Sequence, residues 1–107
     1  MNVTKNKARG YSKATIARVM ESTEDSISMR LAKACIRANL PSSEIAEHLN
    51  VTRASLNSWF KGTVIRTEKA GAAHKLTEII IRDLESGVLP AKDRETGIDY
   101  LRSLRIS

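Results

Sequence analysis

"EIAEHLNVTRASLNSWFKG", residues 44–62, decides the fold. A short apolar helix breaks at Asn50 and restarts at once as a helix of two characters. One side carries Leu56, Trp59 and Phe60. The other carries Arg53, Asn57 and Lys61 at i, i+4 and i+8, flanked by Ala54 and Ser58. Helices parted by so short a turn must cross steeply, so their contact point needs a small residue, which Ala46 supplies. The turn needs a residue that tolerates left-handed backbone, and Asn50 is the best choice after glycine. Val51 then plugs the inside of the turn, and Leu56 and Trp59 close the core beneath the second helix. Ala46, Asn50, Val51, Leu56 and Trp59 in this register are the sequence form of a helix-turn-helix.

Working outward, residues 13–20 predict a short helix with Ile16, Val19 and Met20 on one face. Ser22 or Thr23 then reads as an N-cap, with Glu24 and Asp25 where a helix dipole favours acids. That helix is expected to run to about Asn39, burying Ile27, Leu31, Ala34, Cys35 and Ala38, and to end before Leu40-Pro41. Ser42 or Ser43 caps a helix over 43–49, and Thr52 caps one over 53–61 that stops at Gly62. Thr67 caps a long helix over 68–86, closed by Gly87 and Pro90. Residues 91–97 read as loop and 98–105 as a last short helix with Ile98, Leu101 and Leu104. No segment alternates convincingly with period two. The expected class is all-α, a small helical bundle with a helix-turn-helix and a long helix in its C-terminal half.

The chain has 107 residues and a formal charge of +6. Residues 1–20 hold Lys5, Lys7, Arg9, Lys13 and Arg18 and no acid, whereas residues 67–107 hold seven bases and seven acids. Such a concentration suggests a polyanionic partner, although a solvated tail would carry the same residues. We read 1–11 as a flexible basic arm and 12–107 as one domain, with dimerisation helices over about 67–107. No run is long and apolar enough to span a membrane. The N-terminus lacks a signal peptide's apolar stretch. Cys35 is the only cysteine, so no internal disulfide forms, and a reducing cytoplasm is the expected location.

At residues 43–62, "SEIAEHLNVTRASLNSWFKG", the chain resembles the helix-turn-helix family of Cro and lambda-type repressors, with the preceding helix as its support. It departs from the family at Asn50, where glycine is usual. The resemblance implies a recognition helix over 53–61 in the major groove of double-stranded DNA, with 43–49 crossing the backbone. Arg53 and Asn57 suit bidentate bonds to guanine and adenine, and Ala54 suits a thymine methyl, with Ser58 and Lys61 on the same face. Ser43, Thr52 and Ser55 suit phosphate contacts. Lys5, Lys7 and Arg9 would add charge from the arm. The plain alternative is an amphipathic hairpin with a solvated polar face.

No enzyme is apparent. His48 and His74 lack metal-ligand spacing. Cys35 lies on an apolar stripe, where a small core residue is the simpler reading. On 68–86, Leu76, Ile80, Ile81 and Leu84 read as a dimer interface, because three consecutive isoleucines cannot all face one small core. Val88, Leu89, Tyr100, Leu101 and Leu104 would extend it. The alternative there is a helix buried on most sides. The expected function is a dimeric transcriptional repressor on a palindromic operator, of the phage, plasmid or mobile-element kind the resemblance implies. It needs no cofactor, and no small-molecule ligand is expected. Two alternatives stand beside it: a protein-interaction module acting on polymerase or another regulator, and a DNA-bending recombination accessory factor.

Overall fold

A computed structural model describes residues 10–106. Six helices are formed in this span: α1 (Lys13–Glu21), α2 (Ile27–Arg37), α3 (Ser42–Leu49), α4 (Arg53–Phe60), α5 (Thr67–Ser86) and α6 (Arg94–Ile106). No strand occurs among the described residues, so the fold is all-α, a small helical bundle. No described helix is long and apolar enough to cross a membrane. Lys5, Lys7 and Arg9 lie outside the described residues.

Four of the six helix starts carry hydroxyl or carboxylate caps. Ser12, Ser26 and Thr52 each accept the backbone N–H three residues on, at 3.1, 3.2 and 3.0 Å. Ser26 therefore starts α2, not Ser22 or Thr23. Ser22 instead accepts the Glu24 N–H in a turn, and its carbonyl takes a 2.6 Å bond from Lys33 Nζ. Starting later turns Ile27 outward, at 37% exposure. Met20 likewise points to solvent, at 43%. Neither Ser42 nor Ser43 caps α3, which follows Pro41, and Thr67 is the first residue of α5 rather than its cap. Asp93 accepts the Thr96 N–H at 2.8 Å, so α6 begins at Arg94, where a loop was expected.

Three successive helices end on one device. Asn39 (φ 60°), Asn50 (φ 59°) and Gly62 (φ 108°) are left-handed. The next residue's N–H reaches back five residues each time: Leu40 to Cys35, Val51 to Ala46 and Thr63 to Ser58, at 3.2, 2.9 and 3.0 Å. These bonds satisfy carbonyls that the helix end would otherwise orphan. Asn39 is thus a stop signal and not the last turn of α2.

Packing centres on α2 and α5. Leu31, Ala32, Ala34 and Cys35 from α2 meet Ala73, Leu76 and Ile80 from α5, all buried. Burial pushes the Cys35 thiol well above its usual range, so it stays protonated as a core residue. Leu56, Trp59 and Phe60 complete the core beneath α4. Leu76 (2% exposed) and Ile80 (0%) are therefore filled by the protomer itself and cannot face a partner. The three isoleucines find room because α5 is flanked on more than one side. Ile79 and Ile81 are half-buried, and Leu84 packs against the core edge. Leu89 and Leu101 are buried too.

Both ends of the described span are tied in. Gly10 and Tyr11 belong to the folded body rather than to an arm. Tyr11 is 5% exposed, donates to the Leu40 carbonyl at 2.7 Å and stacks on Phe60 with centroids 5.7 Å apart. On the other side, Ala91 N–H donates to the Ala38 carbonyl at 2.9 Å and Asn39 Nδ2 to the Ala91 carbonyl at 2.7 Å. Tyr100 donates to Asp83 at 2.5 Å, joining α6 to α5, and its burial with that bond raises the phenol well above its usual range. Arg102 grips Glu44 at 3.3 and 3.4 Å, joining α6 to α3. That arginine side chain is 61% exposed, so solvent screening keeps the pair a minor contribution.

Gly97 lets α6 approach Pro41. A Cβ there would sit 2.9 Å from Pro41 Cδ and 3.5 Å from Leu40 Cδ2, both buried and immobile. Gly97→Ala gains about 0.5–1 kcal/mol of helix propensity. Overpacking costs about 1–3 kcal/mol, so a net loss of up to about 2.5 kcal/mol is expected. Denaturant unfolding should show it as a lowered midpoint with an unchanged slope. A raised midpoint would mean that α6 can shift without cost.

Candidate nucleic-acid interface

The turn Asn50–Thr52 joins α3 to α4 and sets how α4 is presented. Ala46 is 2% exposed, small enough to let the helices close, and its carbonyl takes the Val51 N–H. Val51 is half-buried inside the turn. Leu56, Trp59 and Phe60 then pin one face of α4 into the core at 0, 7 and 1% exposure. The opposite face is left wholly to solvent. Arg53, Ala54, Ser55, Asn57, Ser58 and Lys61 are all exposed, as the sequence spacing requires of one polar stripe. None of them forms an ion pair among the described residues.

The hydroxyls divide their work. The Thr52 oxygen accepts the Ser55 N–H while its O–H points to Ser55 Oγ at 3.1 Å. Thr52 is thus spent on capping α4, whereas Ser55 keeps its own proton to give outward. Ser43 is half-buried in the first turn of α3, near solvent but less open than the α4 stripe.

Gly10 adds a feature that charge counting alone does not place. A Cβ on it would overlap Ser42 Oγ and lie 3.4 Å from a guanidinium nitrogen of Arg53. Its φ of +81° is also costly for any other residue. Gly10 therefore lies beside Arg53, at the start of α4. Tyr11 holds it there through Leu40 and Phe60.

A groove of about 480 Å³ runs on the other side of α4, between that helix and the start of α5. Ser55, Ser58 and Thr63 offer hydroxyls to it, and Arg66 and Lys69 offer positive charge, against the single acid Glu68. Lys69 Nζ lies 3.3 Å from both the Leu49 and Asn50 carbonyls, capping the end of α3 from a distance. Val64 stands at the groove 83% exposed. Thr63, Arg66 and Lys69 were missed by sequence reasoning, which took 62–66 as a connector. The signal lay in Lys61, Arg66 and Lys69 following the polar stripe with one intervening acid.

Such a surface can hold an extended polyanion: hydroxyls and cations on both flanks of a helix whose exposed side chains can read edges. It offers little for covalent chemistry. Cys35 is buried and His74 is exposed, and no group of three metal-binding side chains occurs among the described residues. Searched against family models, curated proteins and solved structures, the chain matches none.

Proposed function

We propose that the protein is a sequence-specific double-stranded DNA-binding regulator, a repressor that covers a promoter by placing α4 in the major groove. The observation that carries this is the division of α4. One face is locked in the core, and the other is an unbroken exposed stripe of Arg53, Ala54, Asn57, Ser58 and Lys61. Arginine and asparagine at that spacing suit guanine and adenine edges. Gly10 lies against Arg53 at one end of the stripe, and the groove with Arg66 and Ser58 lies along its other side, where phosphates would pass. A two-fold dimer belongs to the same reading, since such helices serve paired half-sites. With Leu76 and Ile80 committed to the protomer's core, Ile81, Leu84 and the 61% exposed Val88 are left for a partner.

Selection of bound sequences from a random duplex pool tests this directly. A palindromic consensus is expected. Enrichment of no sequence, together with no retention on duplex at moderate salt, would transfer the polar stripe to a protein partner. Bending of the selected duplex by the bound protein would point to a recombination accessory role instead.

Deleting residues 1–9 should weaken binding to every duplex to a similar extent. Lys5, Lys7 and Arg9 leave with the segment. Counterion release then makes the log–log salt slope shallower by about two to three units. An unchanged slope would show that these cations do not meet phosphate.

A further inference from the structure

A second cleft, of about 340 Å³, opens where α3, α5 and α6 meet. Leu49, Ala72, Leu76, Ile79 and Leu104 supply its apolar lining, His48 lies half-buried in its wall, and Lys75 and Arg82 stand exposed at its edge. No carboxylate lines it among the described residues. Lys75 and Arg82 sit two turns apart on α5, about 10 Å along the axis, and bracket Ile79 between them. Lys75 has no hydrogen bond or ion pair among the described residues. Arg82 Nε is 3.6 Å from Asp83, but that carboxylate is mostly buried and already takes the Tyr100 hydroxyl at 2.5 Å. Much of the guanidinium stays open, the side chain being 71% exposed.

The volume falls at the lower end of the range for small-ligand sites, about 300–1,000 Å³. The aliphatic side chains favour an apolar body, and Lys75 and Arg82, with no acid lining the cleft among the described residues, select the sign of its head group. We propose that this cleft binds a small amphipathic carboxylate, its apolar body on Ile79 and Leu104 and its carboxylate held by Lys75 or Arg82. The sequence offered no sign of this, because the cleft is assembled from three helices and no one of them carries it. The proposal does not depend on DNA binding, and its test uses no DNA.

The probe is octanoate, titrated onto the full chain with isotope-labelled methyl groups. Octan-1-ol and octylamine serve as neutral and cationic probes with the same body. Octanoate should give saturable shifts at the Leu49, Ile79 and Leu104 methyls. The alcohol and the amine should bind about fivefold more weakly, the upper scale expected of one partly exposed charge pair. Lys75→Glu with Arg82→Glu should remove that advantage and leave octan-1-ol binding unchanged, while Lys92→Glu should change nothing. Lys75→Gln with Arg82→Gln reads the same loss should charge reversal disturb folding, as judged from the amide spectrum. Equal binding of octanoate and octan-1-ol would overturn the proposal, as would shifts confined to other methyls. An acidic amphipathic peptide that binds through Lys75 and Arg82 where octanoate fails would overturn it in favour of a protein partner.

Discussion

Phe60→Ala should destabilise the fold by about 3–5 kcal/mol and abolish every activity of the surface above it. Phe60 is 1% exposed, and its ring stacks on Tyr11 at an interplanar angle of 17°. Truncation leaves a cavity that α4 cannot easily close, because Leu56 and Trp59 hold the helix to the core beside the gap. Tyr11 loses its stacking partner at the same time, and with it one of the two contacts that keep Gly10 against Arg53. A small domain has only about 5–15 kcal/mol of stability in total, so this change alone brings it near the folding threshold. Thermal or denaturant unfolding measures the loss. A drop below about 1 kcal/mol would mean that the site collapses freely and that the core is less close-packed than its burial indicates.

Asn57→Ala and Arg53→Ala should do the reverse, sparing the fold and damaging recognition. Both side chains are exposed, so neither truncation opens a cavity. Each should cost about 1–3 kcal/mol against the selected operator and relax preference at one base pair per half-site. Asn57→Ala should leave affinity for random duplex nearly unchanged, since phosphates supply that binding. Arg53→Ala should also lower it modestly, because one positive charge is lost. The measurement is affinity for operator and random duplex, on variants with the parent's unfolding midpoint. If both variants bind the operator as the parent does, α4 does not read DNA, and its stripe serves a protein contact.

Legibility in the sequence followed the range of the interaction that sets each element. Thr52 caps its own third neighbour and Asn50 bends its own backbone, so both were plain from adjacent residues. The outward stripe of α4 was equally plain, because helical period alone assigns it. Ser26 lost to Ser22 and Thr23 in the reading because all three suit a cap, and only packing chooses among them. Asn39 was hidden by the stronger signal of Pro41. α6 was read short because residues 91–97 are polar, while the close approach of Gly97 to Pro41 that places its first turns is a tertiary fact. The same limit applies to Leu76 and Ile80. Surplus apolar residues on one helix demand cover, but sequence does not say whether the cover is α2 of the same chain or a second copy. Of the interface, the flanks contributed by Gly10, Thr63 and Lys69 come together only in space.

The carbonyls of Leu49 and Asn50 are met by Lys69, twenty and nineteen residues further on. The carbonyl of Leu40, just before α3, is met by Tyr11 from twenty-nine residues earlier. The helix pair is therefore not a portable module. A fragment cut to residues 43–62, or grafted onto another scaffold, would leave behind the Lys69 ammonium that meets the carbonyls at the end of α3, and it would lose the floor provided by α2 and α5. Moving the exposed face of α4 to another chain with its support intact has to carry the whole span from Tyr11 through Ser86, unless single side chains on that face are replaced in place. The outer face, with no structural duties of its own, is free to change residue by residue.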